Sequence, residues 1–208
     1  TTEDGHTFSP VATNQGTGPD ASVVLKGGSS ETDFAFLENG DVIAVARNEA
    51  GEVAEGDLKF GSKVCRAPAA DLGNWTCTYD ARKYDSPAVF RHGGSTYLVG
   101  RRHLLDDGAY DLMEDGLSPS DEALEYQLSY WGSPKRCSLW KVDPEALAVE
   151  YLLDLPSNGD TCFASVWPMD DHHFLLYNYT SPLDDPDLSW RDGQFGTTSI
   201  YRVSLGLP

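Results

Sequence analysis

Three stretches of this chain follow one plan, and a plan repeated at regular intervals restricts a chain to few architectures. Residues 31–49 (ETDFAFLENGDVIAVARNE), 84–103 (YDSPAVFRHGGSTYLVGRRH) and 160–180 (DTCFASVWPMDDHHFLLYNYT) share it. Each runs from an acidic start through an apolar segment, a tight polar turn and a second apolar segment to a polar end. Two short apolar runs joined by Gly, Asn or Asp form a β-hairpin. Further strand signals lie between the hairpins at Leu58 to Cys65, Trp75 to Tyr79, Cys137 to Val142, Leu147 to Leu155 and Ser199 to Leu205. Trp75, Cys77 and Tyr79 alternate with polar residues, the period of a half-buried strand.

A self-similar unit returning at about 50 residues marks a β-propeller, in which a four-stranded blade buries its faces only against neighbouring blades. The repeats fall at 31–83, 84–155 and 160–205 and supply four strands, four and three, in an all-β chain read as one domain or half-propeller over 1–208. An apolar run at Ser22 to Lys26 adds a further strand, completing the last blade or edging a preceding one. Rings close with about four to eight blades. Three blades therefore imply part of a propeller of about six, either a fragment of it or a half-ring that pairs with a second chain.

Charge excludes some partners. With 15 basic against 33 acidic residues the formal net charge is -18, which repels nucleic acid and anionic membrane surfaces. A content of 40% hydrophobic and 11% aromatic residues excludes disorder. No apolar run reaches the length of a membrane span, and the polar start at Thr1 has no signal-peptide pattern. The four cysteines lack zinc-ligand spacing. Cys65 and Cys77 fall in adjacent strand segments joined by a short turn, which favours a Cys65–Cys77 bridge, with Cys137–Cys162 as the second pair. The other reading is four buried thiols. Disulfides place the protein outside the cytosol, secreted, cell-surface or periplasmic. Asn74-Trp-Thr76 and Asn178-Tyr-Thr180 are glycosylation sequons, a short pattern that also arises by chance.

Connection lengths locate a site. The inner turns LENGD, RHGGS and PMDDH are short, whereas the chain leaving each hairpin runs about 10 residues after Arg47, about 32 after His103 and about 19 after Asn178. Long loops on one face of a rigid scaffold are where binding and catalysis sit. The longest holds SPSDEALEYQL (118–128), where Ser120 before Asp121 and Glu122 reads as a capped helical turn or two folding over the mouth. In an antiparallel hairpin the start of the first strand and the end of the second share a face. The starts bring Glu31, Asp33, Asp85 and Asp160; the ends bring Arg47, Asn48, Arg101, Arg102, His103, Tyr177 and Asn178. Arginine offers paired donors to a carboxylate, so this set suits a polar or anionic ligand. In the structural reading of the same residues, acids and arginines pair with each other across blades.

The segment from Glu31 through Gly40 to Arg47 resembles the sialidase stretch E-x-x-x-x-E-L-x-D-G-x-L-x-x-x-x-R. The resemblance covers one hairpin of three. It implies that Glu31 assists a tyrosine nucleophile and that Arg47 belongs to an arginine triad clamping the sugar carboxylate. The third hairpin opens Asp160-Thr161-Cys162 where that family has Tyr-Ser, which leaves Tyr84 or Tyr177 as substitutes. The family's Asp-box has only a distant echo in Ser189-Trp-Arg-Asp192-Gly193. The opening Asp85-Ser-Pro-Ala-Val resembles that of five-bladed furanosidases. Glycoside hydrolysis needs two carboxyl groups about one bond.

These observations lead to a glycosidase-like, sialidase-like propeller with a carbohydrate ligand. Glu31, Asp85 and Asp33 are the candidate catalytic carboxylates, and Arg47, Arg101, Arg102, Asp160, Tyr177 and Asn178 the substrate-binding set. The alternative is a non-catalytic propeller that binds a glycan or a protein. No cofactor or metal is called for. The acidic loops with Asp106, Asp107, Asp111 and Asp115, and with Asp184, Asp185 and Asp187, suit calcium only by composition. His172-His173 reads as surface, and Trp131, Trp140, Trp167 and Trp190 as sugar platforms or interblade packing.

Overall fold

The computed structural model describes residues 2–54, 57–105, 107–114, 116–184 and 186–208. Strands β1 (Ser29–Phe36), β2 (Val42–Ala54), β3 (Asp57–Ala67) and β4 (Thr76–Asp80) form the first sheet in that order. Strands β5 (Asp85–His92), β6 (Ser95–His103), β7 (Lys135–Asp143) and β8 (Ala148–Asp154) form the second. Strands β9 (Ser165–Pro168), β10 (His173–Thr180) and β11 (Ser199–Gly206) form the third. All neighbours are antiparallel, so each sheet is an up-and-down blade of a propeller. Gly40 with φ +86, and Gly93 and Gly94 with φ +53 and +75, supply the left-handed backbone that the first two inner turns require.

Two apolar seams hold the blades together. Ile43, Val45 and Val64 of the first pack on Tyr84, Leu98 and Trp140 of the second. On the other side Tyr97, Val99 and Leu139 pack on Phe174, Leu176 and Leu205 of the third. Successive residues of a strand point to opposite faces, so the run Tyr97-Leu98-Val99 is apolar throughout because the middle blade is covered on both sides. Cys65 and Cys77 stand directly opposite each other on β3 and β4 and are bridged. Cys137 of β7 is bridged to Cys162, which ties the second blade to the third.

Three expectations are corrected. Ser22 to Lys26 is not a strand. It follows a 3-10 turn at Gly18–Asp20, and its carbonyls at Val23 and Lys26 accept side-chain donors from Thr13, Ser29 and Lys63 instead of a ladder. The chain after Arg47 is not a loop: β2 and β3 continue past a bulge between Asn48 and Glu52, pairing Glu52 with Lys59. The helical turn in the longest connection is a full helix, α1 (Pro119–Gly132), capped by Ser118 and not Ser120. Ser118 Oγ accepts from the Asp121 N–H and donates to the Asp121 carboxylate, and Pro119 suits a first helical position that lacks a partner for its nitrogen. A short helix, α2 (Trp190–Gln194), follows in the last connection, and the Ser189 to Gly193 echo forms its capped start, with Ser189 Oγ accepting from the Asp192 N–H at 3.0 Å. No described helix is long and apolar enough to cross a membrane.

Candidate functional site

The starts of β1 and β5, the residues leading into β9, the middle of β2 and the ends of β6 and β10 meet at one end of the blades, where a chain of charges crosses both seams. Glu31 pairs with Arg47 at 3.0 Å, and Arg47 reaches Asp85 of the next blade at 3.5 Å. Asp85 pairs with Arg101 at 2.8 Å, and Arg101 approaches Asp160 of the third blade at 3.8 Å. Register explains the meeting, since Asp85 lies opposite Arg101 in the ladder. Asp33 also spans a seam, accepting the Val89 N–H at 2.7 Å.

Asp85 is enclosed. It has no exposed surface and accepts a hydrogen bond from the Tyr130 hydroxyl of α1 at 2.9 Å, with Lys83 Nζ at 3.7 Å. Burial alone would raise its pKa, but Lys83, Arg101 and Arg47 outweigh burial and hold the carboxyl below its usual range. Tyr130 is pushed well above the ordinary phenol value by burial and by Asp85. Lys83 Nζ pairs with Glu49 at 2.6 Å and lies over the rings of Tyr110 and Tyr130. Helix α1 is thus seated on the charge chain, its own Tyr126 and Tyr130 packing with Phe60 and Tyr110 in an aromatic cluster.

The third blade closes the other flank. Arg101 Nε donates to the Thr161 carbonyl at 2.7 Å, and the Trp190 ring covers its guanidinium at 4.6 Å. Asp160 accepts from the Tyr179 hydroxyl at 2.9 Å and from Trp190 Nε1 at 2.8 Å. Burial pushes Tyr179 up to about 12. Asn178 is buried and clamps the chain before β9, accepting the N–H groups of Cys162 and Phe163 and donating to Thr161 Oγ1.

What stays open is the region of Glu31. Its carboxylate is half-buried and accepts the Ser86 N–H at 2.7 Å. A cavity of about 220 Å³ lies there, lined by Glu31, Thr32, Ser86, Pro87, Phe163 and Ala164. Phe163 also lines an adjoining space of about 410 Å³ with Ser165, Tyr177, Asn178, Tyr179 and Ile200. Ser86 and Cys162 hold positive φ of +48 and +78, backbone states that non-glycine residues keep only where the surroundings enforce them. A larger cavity of about 580 Å³ lies at the opposite face between the inner turns of the first two blades, where Arg66 and Arg91 are engaged with Asp41 and Glu38.

Of the residues singled out by sequence, Glu31, Arg47, Asp85, Arg101 and Asp160 are brought together. Arg102 turns away to a bidentate pair with Asp154. Tyr177 is exposed on the outer side of the third blade, and Tyr84 is a core residue bonded to Asp80. Trp140 is core, Trp190 covers Arg101, and Trp167 is exposed. His172 and His173 are exposed, and His173 pairs with Asp170. Asp107 and Asp111 cap local backbone, and Asp187 pairs with Arg136. Asp106, Asp115 and Asp185 lie outside the described residues. Among the described residues no group of acids, histidines or cysteines could hold a metal ion. Sequence reasoning missed Lys83, Tyr130 and Tyr179. Lys83 was findable, because it precedes Asp85 by two positions and so shares its face.

No protein-family model and no curated protein matches this sequence. Solved structures do. The phage phi92 endosialidase aligns over 99% of this chain and 30% of its own, at 14% identity and TM-score 0.55. The Penicillium chrysogenum alpha-L-arabinanase, solved with arabinobiose, aligns over 86% and 46% at 11% identity and TM-score 0.49. The protein YjhT aligns over 85% and 52% at 13% identity and TM-score 0.45. The chain spans about half or less of the length of each. At this identity the endosialidase likeness bears on the fold alone, and it agrees with the propeller architecture.

Proposed function

We propose that this chain is part of a glycosidase-like propeller, secreted or displayed at the cell surface, that binds a sugar at the mouth beside Glu31. One observation carries the reading: the half-buried Glu31 carboxylate opens onto a cavity lined by Ser86, whose backbone holds a left-handed φ of +48, and such strain clusters at ligand and active sites. In this reading Glu31 is the working carboxylate and Arg47 orients it across the 3.0 Å pair. Asp85 and Arg101 act behind it as support, since both are buried and fully engaged. The fold likeness to an endosialidase supports a carbohydrate-related role by analogy.

The second reading, a non-catalytic module, is favoured by one specific feature. Hydrolysis needs two carboxyl groups at the bond, and Asp85 is sealed while Asp160 is held by Tyr179 and Trp190. A panel of chromogenic glycosides, sialosides included, separates the two. Turnover that falls at least about a hundredfold in Glu31→Gln with an unchanged melting temperature supports the enzyme. Glycan binding without turnover supports the module, and turnover indifferent to Glu31→Gln removes Glu31 from the site.

A further inference from the structure

Resting on the sugar-binding reading above, we propose that the glycan taken at the Glu31 mouth is neutral, held by hydroxyl hydrogen bonds and aromatic stacking, and not a carboxylated sugar clamped by arginine. An arginine clamp needs parallel N–H donors that are free when the ligand arrives. In each of the three candidate arginines the donors already face acceptors of the protein itself. Arg47 places Nε on Ser30 Oγ at 2.9 Å and its terminal nitrogens on Glu31, Asp85 and Glu49 at 3.0, 3.5 and 3.2 Å. Arg101 places Nε on the Thr161 carbonyl, one terminal nitrogen on Asp85 at 2.8 Å and the other on Tyr179 Oη at 3.3 Å. Arg102 commits its Nε–Nη2 edge to Asp154, at 2.9 and 2.7 Å, and is turned away from the mouth.

At Arg47 or Arg101 an incoming carboxylate would have to break one of these pairs. At Asp85 it would strand a fully buried carboxylate, which is strongly unfavourable. It would also approach a chain of formal net charge -18, against the field of the whole molecule.

The mouth offers other groups. Glu31 accepts hydroxyl donors, and the Thr32 and Ser86 side chains line the same cavity. The Phe163 ring, 67% exposed, borders both this cavity and the one shared with Tyr177. An exposed flat ring beside a few polar groups suits the C–H face and hydroxyl rim of an uncharged sugar.

The test takes the whole chain to a glycan array that carries neutral oligosaccharides beside their sialylated and uronic-acid counterparts. The best binder and its charged or uncharged counterpart then go to calorimetric titration. The expected result is at least about tenfold tighter binding of the neutral member, unchanged by added sodium chloride. Phe163→Ala should lose at least about tenfold while keeping its melting temperature. Tighter, salt-sensitive binding of the carboxylated member overturns this inference and leaves the sugar-binding reading standing, as does binding indifferent to Phe163→Ala. An array on which nothing binds removes the sugar-binding reading itself.

Discussion

Asp85 shows what a charged residue does when every neighbour is spoken for. Three cations and a phenol surround it in a buried place, so its charge is matched only as long as it stays ionised. Asp85→Asn would leave Arg101, Arg47 and Lys83 with one counter-charge fewer in a buried place, a change that costs about 3–5 kcal/mol. Chemical denaturation should read that loss, whereas Glu31→Gln, at a half-exposed pair, should cost about 1 kcal/mol or less. A loss for Asp85→Asn no larger than for Glu31→Gln would show the enclosure to be loose. The meeting of Asp85 with Arg101 was legible in the sequence, because hairpin register alone places a strand start against a strand end. Tyr130 was not. It arrives from 45 residues away on a helix, and no local periodicity records which ring a distant helix lays over a carboxylate.

At the scale of elements, α1 is the part most exposed to a change in pH. Lys135 lies beneath it, fully buried, donating to the carbonyls of Tyr130 and Ser133 and sitting 4.1 Å from the centre of the Tyr130 ring. Burial, then the Arg101 guanidinium, lowers its pKa to about 6. Burial, then Lys135, lowers His103 to about 4. Both bases therefore bind fewer protons in the folded chain than in the unfolded one, His103 between about pH 4 and 6.5 and Lys135 between about pH 6 and 10.5. Stability rises with pH across both windows, by at most about 1.4 kcal/mol per unit for each titrating group. Melting temperatures should climb from pH 5 to pH 8, and Lys135→Met should flatten the climb above pH 6. A profile that falls toward pH 8 would contradict this seating of α1. The helix itself was partly legible. The acidic first turn after a serine announced a start, but Ser118 and Ser120 are equally good caps by composition, and only the carboxylate of Asp121, three residues after Ser118, decides between them.

For the whole molecule, the two end faces matter most. Phe34 and Phe36, each 56% exposed, lie on the side of β1 away from the first seam, and Trp167 and Ile200, 67% and 79% exposed, lie on the side of the third blade away from the second. A propeller blade ordinarily covers such a face with the next blade. If the half-ring reading holds, sedimentation of the chain should show a species of twice 22.7 kDa, and Ile200→Asp or Phe34→Glu should each dissociate it. A compact monomer at high concentration contradicts pairing and leaves further blades of a longer chain to cover the faces. The blade count was readable from hairpin spacing, whereas the run Ser22 to Lys26, read as completing the last blade or edging a preceding one, does neither, because its carbonyls are taken by side chains. The two disulfides give the molecule a mechanical character as well. Drawn out from its two ends, the oxidised chain would keep the segments between Cys65 and Cys77 and between Cys137 and Cys162 closed, withholding roughly 120–130 Å of its extended length. With Cys162 moored to β7, tension on the C-terminal part can unravel the third blade but cannot carry its first residues away from the second.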